Sequence, residues 1–204
     1  MVNAMISKDF LNHAKEFLTA LRRFKWERMD DGSIFFPEQK VFGGGVYEHF
    51  ANDGLGWQQD SNLLPVQGLT YLLESAVGND TAAITAWYVA IAGTATPLTT
   101  WTAANYASNA TELTTAYSEA TRVSLVLGSA SGSSSVAIGN SASRAVFTAA
   151  SASVTVGGAA TLSSSTKGGT SGTLLSASKF TATRTLVEIG DTLTVGYTLT
   201  LTSS

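Results

Sequence analysis

The sequence predicts a mainly β protein, a β-sandwich or jelly roll preceded by an N-terminal amphipathic helical arm. Three observations carry that expectation. Residues 81–204 hold nine charged side chains against 45 serines and threonines, whereas residues 1–60 hold 16 of the 27 charges. From residue 81 onward, short β-branched and aromatic runs alternate with Ser- and Gly-rich punctuation, the spacing of many short strands. The chain then closes on Leu193, Val195, Tyr197, Leu199 and Leu201 set between threonines, a period-two pattern broken only at Gly196.

Taken in order, residues 6–28 read as a helix. Phe10, Ala14, Phe17, Leu18, Leu21 and Phe24 recur at three- and four-residue intervals on one face, with Ser7 placed to cap and most Lys and Arg off the stripe. Asp30-Asp31-Gly32-Ser33 is turn chemistry that ends it. Residues 37–66 have no clear period. Gly43-Gly44-Gly45 reads as a flexible bend, yet Phe42, Tyr47, Phe50 and Trp57 are too aromatic for a free linker. Leu69, Leu72, Leu73 and Ala76 predict a short second helix, closed by Gly78-Asn79-Asp80.

The β body follows. Residues 84–91, 121–127, 144–149, 153–156 and 173–175 read as strands. Turns are expected at 128–135, 139–143, 157–158 and 163–172, with a helical turn or loop in 109–118. Phe180–Ile189, the turn at Gly190-Asp191 and the strand Thr192–Thr202 predict a terminal hairpin with one buried and one threonine-covered face. The organisation is therefore an arm over 1–36, an aromatic, Gly-rich loop with a short helix over 37–80, and a β body over 81–204.

Composition narrows the function classes. Charged residues are 13% of the 204, about half the usual share of roughly 25%, so the surface is poorly protected against association. A net charge of −3 argues against a nucleic-acid partner, which would want a basic stripe. There is no cysteine, hence no disulfide, thiolate metal site or cysteine nucleophile. Lys8, Asp9, Lys15 and Glu16 interrupt any signal-like apolar region, and no apolar run approaches a membrane span.

Candidate chemistry is sparse. His13 and His49 are the two histidines, without HExxH or carboxylates at ligand spacing, so no metal site or cofactor is expected. Serines abound, but G-x-S-x-G is absent and the β body has no histidine. Glu112 with Glu119, and Glu188 with Asp191, are carboxylates that nothing in the spacing marks as a catalytic pair. No catalytic residue is assigned and no enzyme is expected. Trp87, Tyr88 and Trp101 could form a sugar-stacking face, which leaves a carbohydrate- or receptor-binding β module as an alternative. The arm and the aromatic loop supply the candidate partner-binding residues: Phe10, Phe17, Leu21, Phe24, Phe42, Tyr47, Phe50 and Trp57.

Four stretches share a resemblance. Asn62-Leu63-Leu64-Pro65-Val66-Gln67-Gly68-Leu69-Thr70-Tyr71-Leu72-Leu73, Trp87-Tyr88-Val89-Ala90, Glu112-Leu113 with Tyr117-Ser118-Glu119 and Arg122, and Gly190-Asp191-Thr192-Leu193-Thr194-Val195 resemble a recurrent pattern of tailed-bacteriophage virion proteins, over about residues 62–204. The resemblance implies a non-enzymatic capsid decoration or cement protein, bound outside the head and made in the host cytoplasm. Its partners would be the major capsid protein or other virion subunits, with self-association into a homo-oligomer. Neither a nucleic acid nor a membrane is an expected partner. A neck, tail or fibre-attachment adaptor on the same scaffold is the alternative within the virion.

Overall fold

The computed structural model describes residues 27–28, 34–35, 41–78 and 81–203. The predicted helix up to residue 26, and with it Phe10, Phe17, Leu21 and Phe24, lies outside them. The chain divides into two compact units, residues 1–42 with 203–204, and residues 43–202. In the first, β1 (Glu27–Arg28) pairs antiparallel with β2 (Ile34–Phe35), Glu27 opposite Phe35. Glu27 and Arg28, expected to end the helix, are therefore strand.

The second unit is built from β3 (Val41–Ala51, whose first two residues belong to the other unit), β4 (Gln58–Ser61), α1 (Val66–Val77), β5 (Trp87–Ala92), α2 (Ala103–Asn109), β6 (Val123–Leu125), β7 (Ser135–Gly139), β8 (Ala145–Thr148), β9 (Val154–Leu162), β10 (Leu174–Leu186) and β11 (Thr192–Ser203, whose last residue belongs to the other unit). It is mainly β, with two antiparallel sheets. The first runs β4-β3-β11-β7, with β8 also paired to β11; the second runs β10-β9-β5-β6. Inward side chains of both sheets meet in one apolar core. Tyr47, Phe147, Leu193, Val195 and Tyr197 come from the first, and Val89, Ile91, Val156, Phe180 and Leu186 from the second. Burial of such side chains is the main favourable term in folding.

The outer face of the second sheet is covered too. Ala90, Ala92, Ala160, Leu162, Leu174 and Ala177 pack with Trp101 and with Ala103 and Tyr106 of α2. A strand buried on both faces loses the apolar–polar alternation, which is why Val89–Ala92 of β5 and Val156–Ala160 of β9 read as continuous runs of apolar residues and glycine. Gln67 of α1 ties this layer together, its Oε1 accepting from the backbone N–H groups of Ala103 (2.8 Å) and Leu174 (2.9 Å).

Several sequence expectations change for one physical reason: glycines mark close backbone approach here more than turns. A Cβ on Gly45 would lie 2.5 Å from the Thr198 carbonyl oxygen, so the triple glycine belongs to β3 where it passes β11, and residues 41–61 are a β-hairpin of the first sheet. A Cβ on Gly157 would lie 2.8 Å from Thr94 Cα and 2.9 Å from the Gly93 oxygen; Gly157-Gly158 is mid-strand in β9.

The predicted terminal hairpin is also corrected. β10 belongs to the second sheet and β11 to the first. The turn between them carries the chain across the core, held by Ala149, whose N–H donates to Asp191 O (2.8 Å) and whose carbonyl accepts from Gly190 N (2.9 Å). The alternation in β11 itself holds, with Leu193, Val195, Tyr197 and Leu199 buried.

Strand β7 was missed, because the serine tract before it masks its pattern. Ser131 and Ala137 exchange two backbone hydrogen bonds, at 3.0 and 2.9 Å, so the tract doubles back on β7. Between β7 and β8 the chain bulges, and buried Asn140 fills the missing ladder: its Oδ1 accepts from Tyr197 N at 2.7 Å.

Candidate functional site

Alternation along β3 sends Tyr47, His49 and Ala51 inward, all buried, and Glu48 outward. Gln59 of β4 stands opposite Glu48, and its Nε2 donates to Glu48 Oε1 at 2.9 Å. On the far side of β11, Arg144 enters β8 and donates to Glu48 Oε2 at 2.9 Å, both side chains about 30% exposed (31% and 29%). The side chains bridge β11 at Gly196, where a Cβ would come within 3.2 Å of Arg144 Nε and 3.3 Å of Glu48 Oε2. The one interruption in the β11 pattern is thus where this ion pair crosses the sheet.

Trp57 lies over the same group. Arg144 Cζ is 4.6 Å from the indole centroid, Phe50 packs at 5.3 Å, and half of Trp57 remains exposed. Glu48, Trp57, Gln58, Gln59 and Arg144 line a pocket of about 210 Å³.

The loop carrying Trp57 is anchored from beneath. Gly54 and Gly56 adopt φ of 82° and 65°, a region that favours glycine. Arg184 of β10, fully buried, donates to Asp53 Oδ1 (3.1 Å), to the His49 carbonyl (3.0 Å) and to the Gly56 carbonyl. Beside it, His49 Nε2 and Asp60 Oδ2 are 2.8 Å apart. Asp60 Oδ1 accepts from both the N–H (2.8 Å) and the hydroxyl (2.6 Å) of Thr181, where β10 departs from its register with β9.

Burial lowers the His49 pKa, against the opposing pull of Asp60, so the ring is held neutral. Burial alone would raise Asp60, but hydrogen bonds from Thr181 and His49 outweigh it and hold the carboxyl below its ordinary value. With Phe180 stacked on the imidazole at 3.7 Å between centroids, this pair is sealed from solvent and fastens the two sheets together.

Other sequence candidates fall as follows. Phe42 lies on β3. Tyr47 is fully buried, hydrogen-bonded at 2.8 Å to both Thr161 and Ser176, and offers no surface to a partner. Phe50 packs against Trp57, which lines the pocket. Trp101 is only 4% exposed and packs edge-on against Tyr106. Trp87 and Tyr88 are successive residues of β5, which puts their side chains on opposite faces; the three form no common sugar face.

Glu112 is buried on Arg122, Glu119 accepts from Thr148 N, and Asp191 Oδ2 accepts from Glu188 N within the β10–β11 turn. Among the described residues no group of three or more His, Asp or Glu gathers as a metal site, and no helix is long and apolar enough to cross a membrane. Arg144 was missed because its partner Glu48 stands 96 residues away; Gly196 was its one trace in the sequence.

No protein-family model, no curated protein and no solved structure matches this chain.

Proposed function

We propose that this chain is a non-enzymatic structural protein of a bacteriophage particle, which binds the capsid surface and stabilises it by burying area between subunits. On this reading the two sheets are a β-sandwich of the jelly-roll kind, and residues 1–36 are its arm. The observation that supports it most is on α1. Val66, Leu69, Leu73 and Val77 are 60%, 48%, 66% and 75% exposed, and their spacing places them along one side of the helix. Gly68 and Leu72 occupy the side turned to the body. An amphipathic helix whose apolar stripe points to solvent is the pattern of a surface awaiting a partner. The charge-poor, threonine-faced body is consistent with an assembled state.

Imaging of intact particles, with quantification of copies per major capsid subunit, tests the proposal. A fixed stoichiometric copy number, and heads that rupture at lower temperature once the protein is stripped, is the expected result. Changing Leu69 and Leu73 together to Glu should abolish rebinding to stripped heads. A few copies at a single vertex would instead assign the protein to the neck, tail or a fibre attachment. Absence from the particle would reject the reading.

A further inference from the structure

The geometry points to a second binding function: we infer that the pocket of Glu48, Trp57, Gln58, Gln59 and Arg144 takes one neutral sugar ring of a surface glycan. Its size sets the first limit. At about 210 Å³ it lies below the roughly 300–1,000 Å³ typical of drug-sized ligands, which suits a single ring end-on better than an extended chain.

Charge sets the second limit. Arg144 and Glu48 neutralise one another at 2.9 Å, so the site carries no spare charge for a phosphate, a carboxylate or an ammonium group. What it offers instead is a half-exposed indole beside planar hydrogen-bonding groups. Gln59 spends one N–H on Glu48. Its amide keeps a second N–H and its oxygen for a ligand. A sugar ring presents the matching chemistry, an apolar C–H face for the indole and hydroxyls that both donate and accept.

Preorganisation is the third argument. The Trp57 loop is held by buried Arg184 through Asp53, His49 and Gly56, and the polar row is fixed across four strands by the Gln59–Glu48–Arg144 contacts. A ligand therefore meets a site that is already ordered and loses little affinity to ordering it. A single ring in so small a pocket binds weakly, with Kd on the order of millimolar. Display of many copies on one particle would multiply that avidity, though the pocket itself does not depend on the particle reading.

The test uses the free, full-length chain. Saturation-transfer NMR and calorimetry would be run with methyl glucoside, methyl galactoside and N-acetylglucosamine, alongside an array of neutral glycans ending in hexose or N-acetylhexosamine. Sialic acid and inorganic phosphate serve as anionic probes. At least one neutral sugar should bind, and Trp57→Ala should weaken it at least tenfold with an unchanged thermal melt. Gln59→Leu, at an exposed position, provides a second variant that should weaken binding even if Trp57→Ala disturbs folding. Absence of binding to every neutral glycan, stronger binding of the anionic probes, or affinity unchanged in the variants would overturn the inference. Because no particle is involved, failure here leaves the capsid reading standing, and the converse also holds.

Discussion

Arg122 grips Glu112 with two parallel hydrogen bonds, Nε to Oε1 at 2.8 Å and Nη2 to Oε2 at 2.7 Å, with both side chains wholly buried. The pair also organises the Ser/Gly-rich segment 163–172. Arg122 donates to the carbonyls of Ser164 (3.0 Å) and Gly169 (3.3 Å), and Glu112 Oε2 accepts from Gly168 N at 3.1 Å. Lys167 adds a bond to the Tyr117 carbonyl at 2.9 Å and lies over the Tyr117 ring. A stretch whose composition reads as a flexible turn is thus a fixed loop.

Arg122→Met should therefore be severely destabilising, by about 3–5 kcal/mol, because it strands a buried carboxylate. The double change Glu112→Leu with Arg122→Met should recover much of that loss, since neither charge is then left unpaired. Urea unfolding of the three proteins measures both effects. Hydrogen exchange should show residues 163–172 losing protection in the single variant; equal stability of the single and double variants would contradict the account.

Acid should weaken the fold in two steps. The His49 pKa is lowered from 6.5 in the native state, so as pH falls below 6.5 the unfolded chain takes up a proton that the native state refuses. Stability then drops until the native pKa is passed. Asp60, also lowered, from 3.8, contributes stability above that value that is lost as pH falls through its native pKa. Denaturant unfolding across pH should show both declines, and His49→Gln should flatten the upper one. A profile with no slope below pH 6.5 would rule out the buried neutral imidazole.

Gly68→Ala should reverse the usual helix rule. In an exposed helix interior this change gains about 1 kcal/mol. On α1 a Cβ at this position would strike the Leu175 carbonyl oxygen of β10, so the helix must lift from the sheet. The expected outcome is destabilisation of about 1–3 kcal/mol, the cost typical of overpacking. A thermal melt decides the sign.

Much of this molecule was legible along the chain. The threonine alternation of β11, the short helix carrying Leu69, Leu72, Leu73 and Ala76, the turn at Gly190-Asp191 and the β character of the body all follow from local periodicity and turn chemistry. Each depends on residues within a few positions of one another, and a single sequence records such relations directly. The exposed side of α1 was not legible, because apolar spacing identifies a helix without saying which part of its stripe finds a core.

Tertiary structure alone decided the rest. Whether Gly157-Gly158 turns the chain or lets residues 93 and 94 approach it depends on a neighbour far away in sequence. The segment Phe180–Ile189 could have paired with β11 as a hairpin; it crosses to the other sheet because Leu186 and Leu193 both bury in the core from opposite sides. The pocket has the same origin. Glu48 and Trp57 share one hairpin, but Arg144 and Gly196 come from distant parts of the chain, and strand pairing across the first sheet makes them neighbours. Sequence sets which residues prefer a strand, while pairing order sets which side chains meet, and long-range pairing leaves almost no local trace.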